Sequence, residues 1–199
     1  NIRNQDSWVH SDTAEEASDK AKDLVRMSTA RAGTLHSLEE KKIPVIQRGL
    51  VVGAGVAGMN AALGLADQGY EVVLVEKEAE LGGLANRLTA TIEGAKISTY
   101  LSELIPKVTN HPKIQVLTNA LIVGFSGFKG NFTTEILVGP EMIQRKIEHG
   151  IVILATGADE YKPNSEDYQF GSSDRIMTQL DLAEKMQNDK IGDPQTVVM

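Results

Sequence analysis

The chain has 199 residues and no cysteine, and this absence removes several classes of chemistry. Without thiols the chain forms no disulfide, carries no cysteine nucleophile and offers no thiolate to a metal cluster. A redox relay through a pair of thiols is therefore excluded.

Histidine is also scarce, and the four histidines are not spaced with carboxylates as a metal site requires. We interpret each as a turn or surface residue, and they are His10, His36, His111 and His149. No Gly-x-Ser-x-Gly motif is present, and the hydroxyl side chains at 98–102 have no paired base. No catalytic residue and no metal ligand is predicted, so a bound cofactor must supply any chemistry.

Excess positive charge and long apolar runs are missing as well. The net charge of −7 argues against nucleic acid as a partner, because phosphate binding needs a basic face. The most apolar stretch, 49–66, is glycine-rich and interrupted by Asn60, so it does not resemble a membrane span. The first ten residues lack the basic and apolar regions of a signal peptide, and a cytoplasmic location is predicted by default.

The stretch 49–83 carries the clearest positive pattern. In order, it contains an apolar run at 50–52, a glycine-rich turn at 53–58, a helical pattern through Gln68, a second apolar run at 72–75, and Glu76. This is the order of strand, turn, helix, strand and acid in a dinucleotide-binding βαβ unit.

Each part of this unit has a mechanical role in binding. Gly53 permits the tight turn, Gly55 lets the backbone approach a pyrophosphate, and Gly58 lets helix and strand pack closely. The helix N-terminus offers free N–H groups to the same pyrophosphate. Glu76 lies about 20 residues beyond the turn, where its carboxylate can accept hydrogen bonds from a ribose diol.

The N-terminal 42 residues are predicted to form an arm and one helix, and 43–199 the nucleotide-binding domain. Thr13 and Glu16 match a capping box before a helix over 14–31, whose narrow apolar stripe should dock one face. Trp8 is expected to pin the arm to the core, with an interface role as the alternative. Because the chain starts at Asn1 and its last residues, 196–199, begin a strand pattern, we expect a piece of a larger subunit.

The remaining chain is predicted from its changing periodicity. The predicted elements are a short helix at 84–87, a helix over 96–109, a strand at 114–117, an antiparallel meander of 120–128, 131–138 and 142–149, a strand at 151–154 buried on both faces, and a helix over 178–188. The fold class is therefore α/β, a Rossmann-like FAD/NAD(P)-binding parallel sheet with helices and a β-meander crossover.

FAD and NAD both fit the βαβ unit, whereas Glu76 argues against the 2′-phosphate of NADP. Three further features favour FAD: the Gly82-Gly83 doublet, the three-stranded crossover, and the small residues Ala155-Thr156-Gly157 at a strand end. Arg87 is a candidate phosphate partner, with an ordinary surface charge as the alternative. A NAD-dependent oxidoreductase domain and a non-catalytic nucleotide-binding scaffold stay open as rival hypotheses.

Together these motifs resemble the FAD domain of two-dinucleotide-binding flavoproteins. A narrower resemblance spans nearly the whole chain. The segments NIRNQDSWVHS, VVGAGVAGMNAALGLADQGYEVVLVEKEAELGG, HPKIQVLTNA and HGIVILATGADEYKP are similar to the A subunit of heterodisulfide reductase. This resemblance implies a flavin-dependent oxidoreductase subunit that passes electrons from FAD to iron–sulfur clusters or partner subunits in methanogenesis-like metabolism.

The resemblance also implies roles for particular residues. The cofactor-binding residues it implies are Gly53, Gly55, Val56, Ala57 and Gly58 for the pyrophosphate, Glu76 and Lys77 for the adenosine, Gly83, Leu84 and Arg87 for the phosphate side, Leu121 and Ile122 for adenine through the backbone of 120–122, and Ala155, Thr156 and Gly157 for the flavin end. An ordinary core strand is the alternative for 120–122. In the family a cluster-ligating cysteine stands where this chain has Asp6. Since clusters are typically held by thiolates, we expect this piece to carry flavin without iron.

Overall fold

A computed structural model of the chain describes residues 1–164, 167–188 and 191. It divides the chain into two compact units, Asn1–Ile43 and Pro44–Met199. The predicted strand at 196–199 lies outside the described residues.

The first unit contains a π-helical turn, Arg3–Ser7, and helix α1, Ala14–Gly33. Good helix formers and exposed ion pairs three residues apart explain α1, for example Lys22 with Asp19 at 2.8 Å. The predicted capping box is wrong, because the Thr13 side chain caps no backbone N–H. No residue of α1 is buried.

Trp8 lies in the π-helical part of the first unit, close to Arg3. Its side chain is 65% exposed, and the Arg3 guanidinium lies over the indole ring at 4.8 Å. The indole therefore gains a cation–π contact at the surface instead of apolar burial.

The second unit contains a four-stranded parallel sheet and a three-stranded antiparallel sheet. Its elements are β1 Arg48–Val52, α2 Val56–Asp67, β2 Glu71–Val75, a 3-10 turn Gly83–Arg87, α3 Ile97–Thr109, β3 Ile114–Leu117, β4 Ala120–Phe128, β5 Asn131–Val138, β6 Ile143–His149, β7 Ile151–Leu154 and α4 Gln179–Gln187. The strand orders are β3-β2-β1-β7 and β4-β5-β6. The predicted α/β fold class, with its meander, is confirmed.

The parallel sheet is apolar on both faces because it is covered on both. Val51 and Leu74 face α2 and α3, in a cluster with Met59. Leu50 and Val73, one residue earlier on each strand, face the meander. Successive strand residues point to opposite faces, so β1 and β2 need unbroken apolar runs instead of an alternating pattern.

Strand β7 departs from this rule. It pairs with β1 at the edge of the described sheet, and Ile151 and Leu154 are 45% and 75% exposed. The prediction that this strand is buried on both faces is therefore wrong for the described residues. An apolar run shows that a strand can be covered on both faces, but it does not say whether the next strand is present.

His149, predicted as a turn or surface residue, is fully buried where the meander meets β7. Its Nδ1 lies 3.1 Å from the carbonyl oxygen of Ile151, and its Nε2 lies 2.8 Å from the Thr134 hydroxyl. A carbonyl only accepts, so Nδ1 carries the proton and Nε2 accepts from Thr134. Burial lowers the pKa of His149, and the bond to Ile151 opposes that shift in part.

We expect the protein to lose stability as the pH falls below about 6.5, the ordinary histidine pKa. The lowered pKa of His149 means that the unfolded chain binds this proton first. The contribution of His149 is therefore complete above that value and decreases as pH falls toward the folded-state pKa. Urea unfolding between pH 8 and pH 5 measures it. His149→Gln should flatten the dependence, and an unchanged slope in that variant would show that other groups cause it.

Candidate dinucleotide-binding site

A cavity of about 680 Å³ lies at the carboxyl ends of β1, β2 and β7. Small-molecule sites are typically ~300–1,000 Å³, and in open α/β sheets they lie at this edge. The lining residues are Val52, Gly53, Gly55, Val75, Glu76, Lys77, Glu78, Ala79, Glu80, Gly83, Leu84, Asn86, Arg87, Ala120, Leu121, Ile122, Ala155, Thr156, Gly157, Ala158, Asp159 and Glu160.

The glycine turn between β1 and α2 forms one wall. Gly53 has a φ of +98°, and a Cβ there would lie 2.3 Å from the carbonyl oxygen of Ala155. A Cβ at Gly55 would meet no atom within 4 Å. Gly53 therefore makes the turn possible, whereas Gly55 leaves open space beside the backbone.

The first turn of α2 lies behind this wall. The first helical hydrogen bond runs from Met59 N–H to the carbonyl oxygen of Gly55, so the N–H groups of 56–58 precede the helical ladder. Val56, Ala57 and Gly58 were predicted to contact the cofactor, but they do not line the cavity. At Gly58 a Cβ would lie 1.8 Å from the carbonyl oxygen of Gly53, so its role here is close packing.

Glu76 directly follows β2, and its side chain is hydrogen-bonded to the glycine turn that follows β1. Its Oε2 accepts from Ala54 N–H at 2.6 Å, and its Oε1 accepts from Glu78 N–H at 3.0 Å. The residue is 6% exposed, so the carboxylate is buried and charge-assisted bonds satisfy it. Each oxygen can accept a second bond, which leaves capacity for ribose hydroxyls. The sequence pattern indicated a ribose contact but not this tie to the glycine turn.

The predicted glycine doublet lies directly beside the glycine turn. Gly82 and Gly83 have φ values of +114° and +54°. Gly82 N–H donates to the carbonyl oxygen of Ala54 at 2.8 Å, and a Cβ at Gly83 would lie 3.3 Å from the Gly55 Cα. Two backbone segments about 28 residues apart thus approach with no side chain between them.

Arg87 lines the cavity but pairs with α4. Its Nε donates to Glu184, and its Nη2 lies 3.7 Å from Asp181 Oδ1. The bond to Glu184 raises the pKa of Arg87 above its ordinary value. In this structure the predicted phosphate partner therefore has carboxylate partners.

The structure brings twelve of the predicted site residues to the cavity wall: Gly53, Gly55, Glu76, Lys77, Gly83, Leu84, Arg87, Leu121, Ile122, Ala155, Thr156 and Gly157. Sequence reasoning missed several polar wall residues, namely Glu78, Glu80, Asn86, Asp159 and Glu160. Only their positions in the sequence could have indicated that they line the cavity, because each closely follows one of the predicted motifs. Their carboxylates outnumber Lys77 and Arg87, so the wall is acidic and unfavourable to an additional phosphate.

Asp6 lies in the π-helical turn of the first unit and is 2% exposed. Its Oδ1 has no hydrogen-bond partner among the described residues. Within the same residues, no group of three or more histidine, aspartate or glutamate side chains is placed to hold a metal ion. No helix in the described part of the chain is long and apolar enough to cross a membrane.

The parallel sheet, the glycine turn at its carboxyl edge and the meander crossover define a Rossmann-like oxidoreductase domain. The chain belongs to the pyridine nucleotide-disulphide oxidoreductase family, whose sequence profile matches residues 47–198.

Relatives narrow this assignment. The chain is 42% identical to the second iron-sulfur A subunit of CoB–CoM heterodisulfide reductase of Methanopyrus kandleri, over 86% of this chain and 26% of that protein. It is 41% identical to the H(2):CoB-CoM heterodisulfide,ferredoxin reductase A subunit of Methanothermobacter marburgensis, over 74% of this chain and 22% of that protein. The resemblance to the heterodisulfide reductase A subunit is confirmed, and the chain spans about a quarter of these relatives' length.

A solved structure supports the fold. L-proline dehydrogenase from P. horikoshii superposes with a TM-score of 0.52 at 24% identity, covering 64% of this chain and 26% of that one. At this identity the likeness concerns the fold alone.

Proposed function

We propose that this chain binds FAD as part of a heterodisulfide-reductase-A-like oxidoreductase subunit. The observation that carries the proposal is the meeting of the glycine turn and the glycine doublet in one cavity, beside a buried acid. The open space at Gly55, and the position of Gly83 so close that a Cβ there would lie 3.3 Å from the Gly55 Cα, leave backbone without side chains facing that cavity. Such a cradle suits a pyrophosphate, which binds to backbone N–H groups.

The wall residues fit the parts of FAD in turn. The wall residues that would hold the pyrophosphate are Gly53, Gly55, Gly83 and Leu84, with the N–H groups of Val56, Ala57 and Gly58 at the helix N-terminus behind them. Glu76 would hold the adenosine ribose, with Lys77 beside the adenine and the backbone of Leu121 and Ile122 pairing with its edge. Ala155, Thr156 and Gly157 would lie near the flavin end, where small residues leave room for a planar ring.

Bound FAD would supply the capacity to accept and release electrons, which the side chains of this chain lack. The chain itself positions the cofactor and screens it from water along the cavity wall. We further propose that electrons pass to iron–sulfur carriers or to partner subunits of a larger complex. The names of the two relatives include an iron-sulfur protein and a ferredoxin reductase, which supports this part.

A NAD-dependent domain is the second candidate, because the βαβ unit serves either dinucleotide. Titration of the cofactor-free protein with FAD, followed by flavin fluorescence, separates the two. We expect saturable quenching that a large excess of NAD does not reverse. Displacement by NAD, or saturable NAD binding without flavin binding, would favour the second candidate. A second experiment reduces the bound flavin with light and then adds electron acceptors. If the reduced flavin reduces none of them, a non-catalytic nucleotide-binding scaffold is favoured.

Glu76→Ala is expected to weaken FAD binding by about 1–3 kcal/mol, because the ribose hydroxyls lose a charged acceptor. The same variant should lower the stability of the cofactor-free protein, since the buried Ala54 N–H would lose its partner. Calorimetric titration and urea unfolding measure the two effects separately. Glu103→Ala, an exposed acid on α3, is the matched control and should change neither. Unchanged FAD affinity in Glu76→Ala would remove Glu76 from the site.

A further inference from the structure

The contact between Arg87 and α4 uses only part of the guanidinium. Glu184 engages Nε and Asp181 faces Nη2, while an arginine has five N–H donors on three nitrogens. Asp181 and Glu184 are three residues apart, so they present both carboxylates on one face of α4. Arg87 therefore stands between this acidic face and the cavity whose wall it also forms.

The ion pairs of Arg87 with Asp181 and Glu184 are weak enough for Arg87 to exchange these partners for another anion. The side chains of Arg87, Asp181 and Glu184 are 38%, 30% and 39% exposed, so water screens their attraction. A pyrophosphate offers an arginine bidentate, charge-assisted bonds that are stronger than a partly exposed ion pair. Arg87 thus has two possible classes of anionic partner, the carboxylates of α4 and a pyrophosphate, and the pyrophosphate is the stronger one.

The charge around Arg87 also opposes an incoming anion. Glu160, on the cavity wall, acts on the guanidinium as a further negative charge. One positive charge therefore faces three carboxylates, and a dinucleotide that enters the cavity adds more negative charge. A turn of Arg87 from α4 toward the ligand would place its positive charge beside the negative charge that the ligand adds.

We propose that Asp181 and Glu184 compete with the pyrophosphate of the bound dinucleotide for Arg87. FAD binding and the docking of α4 on the turn 83–87 then oppose each other. This inference rests on the proposed function and deepens it, because it makes α4 an element that senses the cofactor. Linkage requires the effect to be reciprocal: the loss of the α4 carboxylates tightens FAD, and FAD loosens α4.

Calorimetric FAD titration of the cofactor-free protein tests the competition. Glu184→Gln should tighten FAD binding by about twofold to fivefold, the range that a partly exposed ion pair supports. Arg87→Gln should weaken binding, and Glu184→Gln added to Arg87→Gln should give no tightening. Glu148→Gln removes one exposed carboxylate on β6, away from the cavity, and should leave affinity unchanged. Hydrogen exchange of residues 179–188 should become faster when FAD is bound.

The results that contradict the competition differ from the result that contradicts FAD binding itself. Unchanged or weaker FAD binding in Glu184→Gln overturns the competition. Equal tightening in the Arg87→Gln background also overturns it, since general electrostatics would then explain the effect. Slower exchange of α4 in the loaded protein would show that α4 and FAD cooperate instead. If the parent chain binds no FAD at all, the proposed function fails.

Discussion

Gly55→Val is expected to abolish FAD binding while the cofactor-free protein keeps its stability to within about 0.5 kcal/mol. Gly55 has extended backbone, with φ of −70° and ψ of −178°, which any residue adopts. A Cβ there meets nothing within 4 Å, so a valine finds room in the unliganded protein. That same room is where the pyrophosphate must approach the backbone, beside Gly83.

The matched control is Gly64→Val on α2. Gly64 is exposed, and a Cβ there also meets no atom within 4 Å, but it lies away from the cavity. Its valine variant should bind FAD as the parent does. Flavin fluorescence and urea unfolding of both variants give binding and stability separately. Full FAD binding by Gly55→Val would show that the cofactor does not approach the glycine turn as proposed.

Gly58→Ala is expected to cost at least about 3 kcal/mol of stability, at the upper end of overpacking effects. A Cβ at this position would lie 1.8 Å from the carbonyl oxygen of Gly53 and 3.3 Å from the Ala155 side chain. The first of these atoms is backbone in a left-handed turn, so it cannot move without breaking the turn. The helix α2 would have to separate from β1 and β7.

Gly64→Ala, six residues along the same helix, is the comparison. With open space around it, the alanine should raise stability by about 0.5–1 kcal/mol through its better helix propensity. Equilibrium unfolding in urea should show that the free energy of unfolding falls in Gly58→Ala and rises in Gly64→Ala. Similar stabilities would mean that Gly58 and Gly53 are not in contact.

The parts of the fold predicted from sequence are those that local periodicity encodes. The βαβ unit was found because strand, turn, helix and acid are close in sequence and each has its own pattern. The meander strands were found for the same reason, and β4 and β5 have the predicted bounds of Ala120–Phe128 and Asn131–Val138. The cavity-wall residues that lie within these motifs were predicted together with the motifs.

The parts missed depend on long-range contacts. Arg87 meets Glu184, which is 97 residues away, and no local pattern announces this pair. His149 looked like a strand-end histidine, and only the packing of the meander against β7 buries it. The prediction that β7 is buried on both faces was wrong for a related reason. An apolar side chain is suited to burial, but the elements packed around it decide whether it is buried.

Identification of the released cofactor tests whether this chain holds FAD. The chain is purified after supplementation with FAD, freed of unbound nucleotide and denatured, and the released compound is identified by mass and absorption. We expect FAD at close to one molecule per chain, because the described residues form one dinucleotide cradle between the glycine turn and the glycine doublet. Release of no flavin, or of NAD in its place, would show that this chain is not an FAD-binding protein.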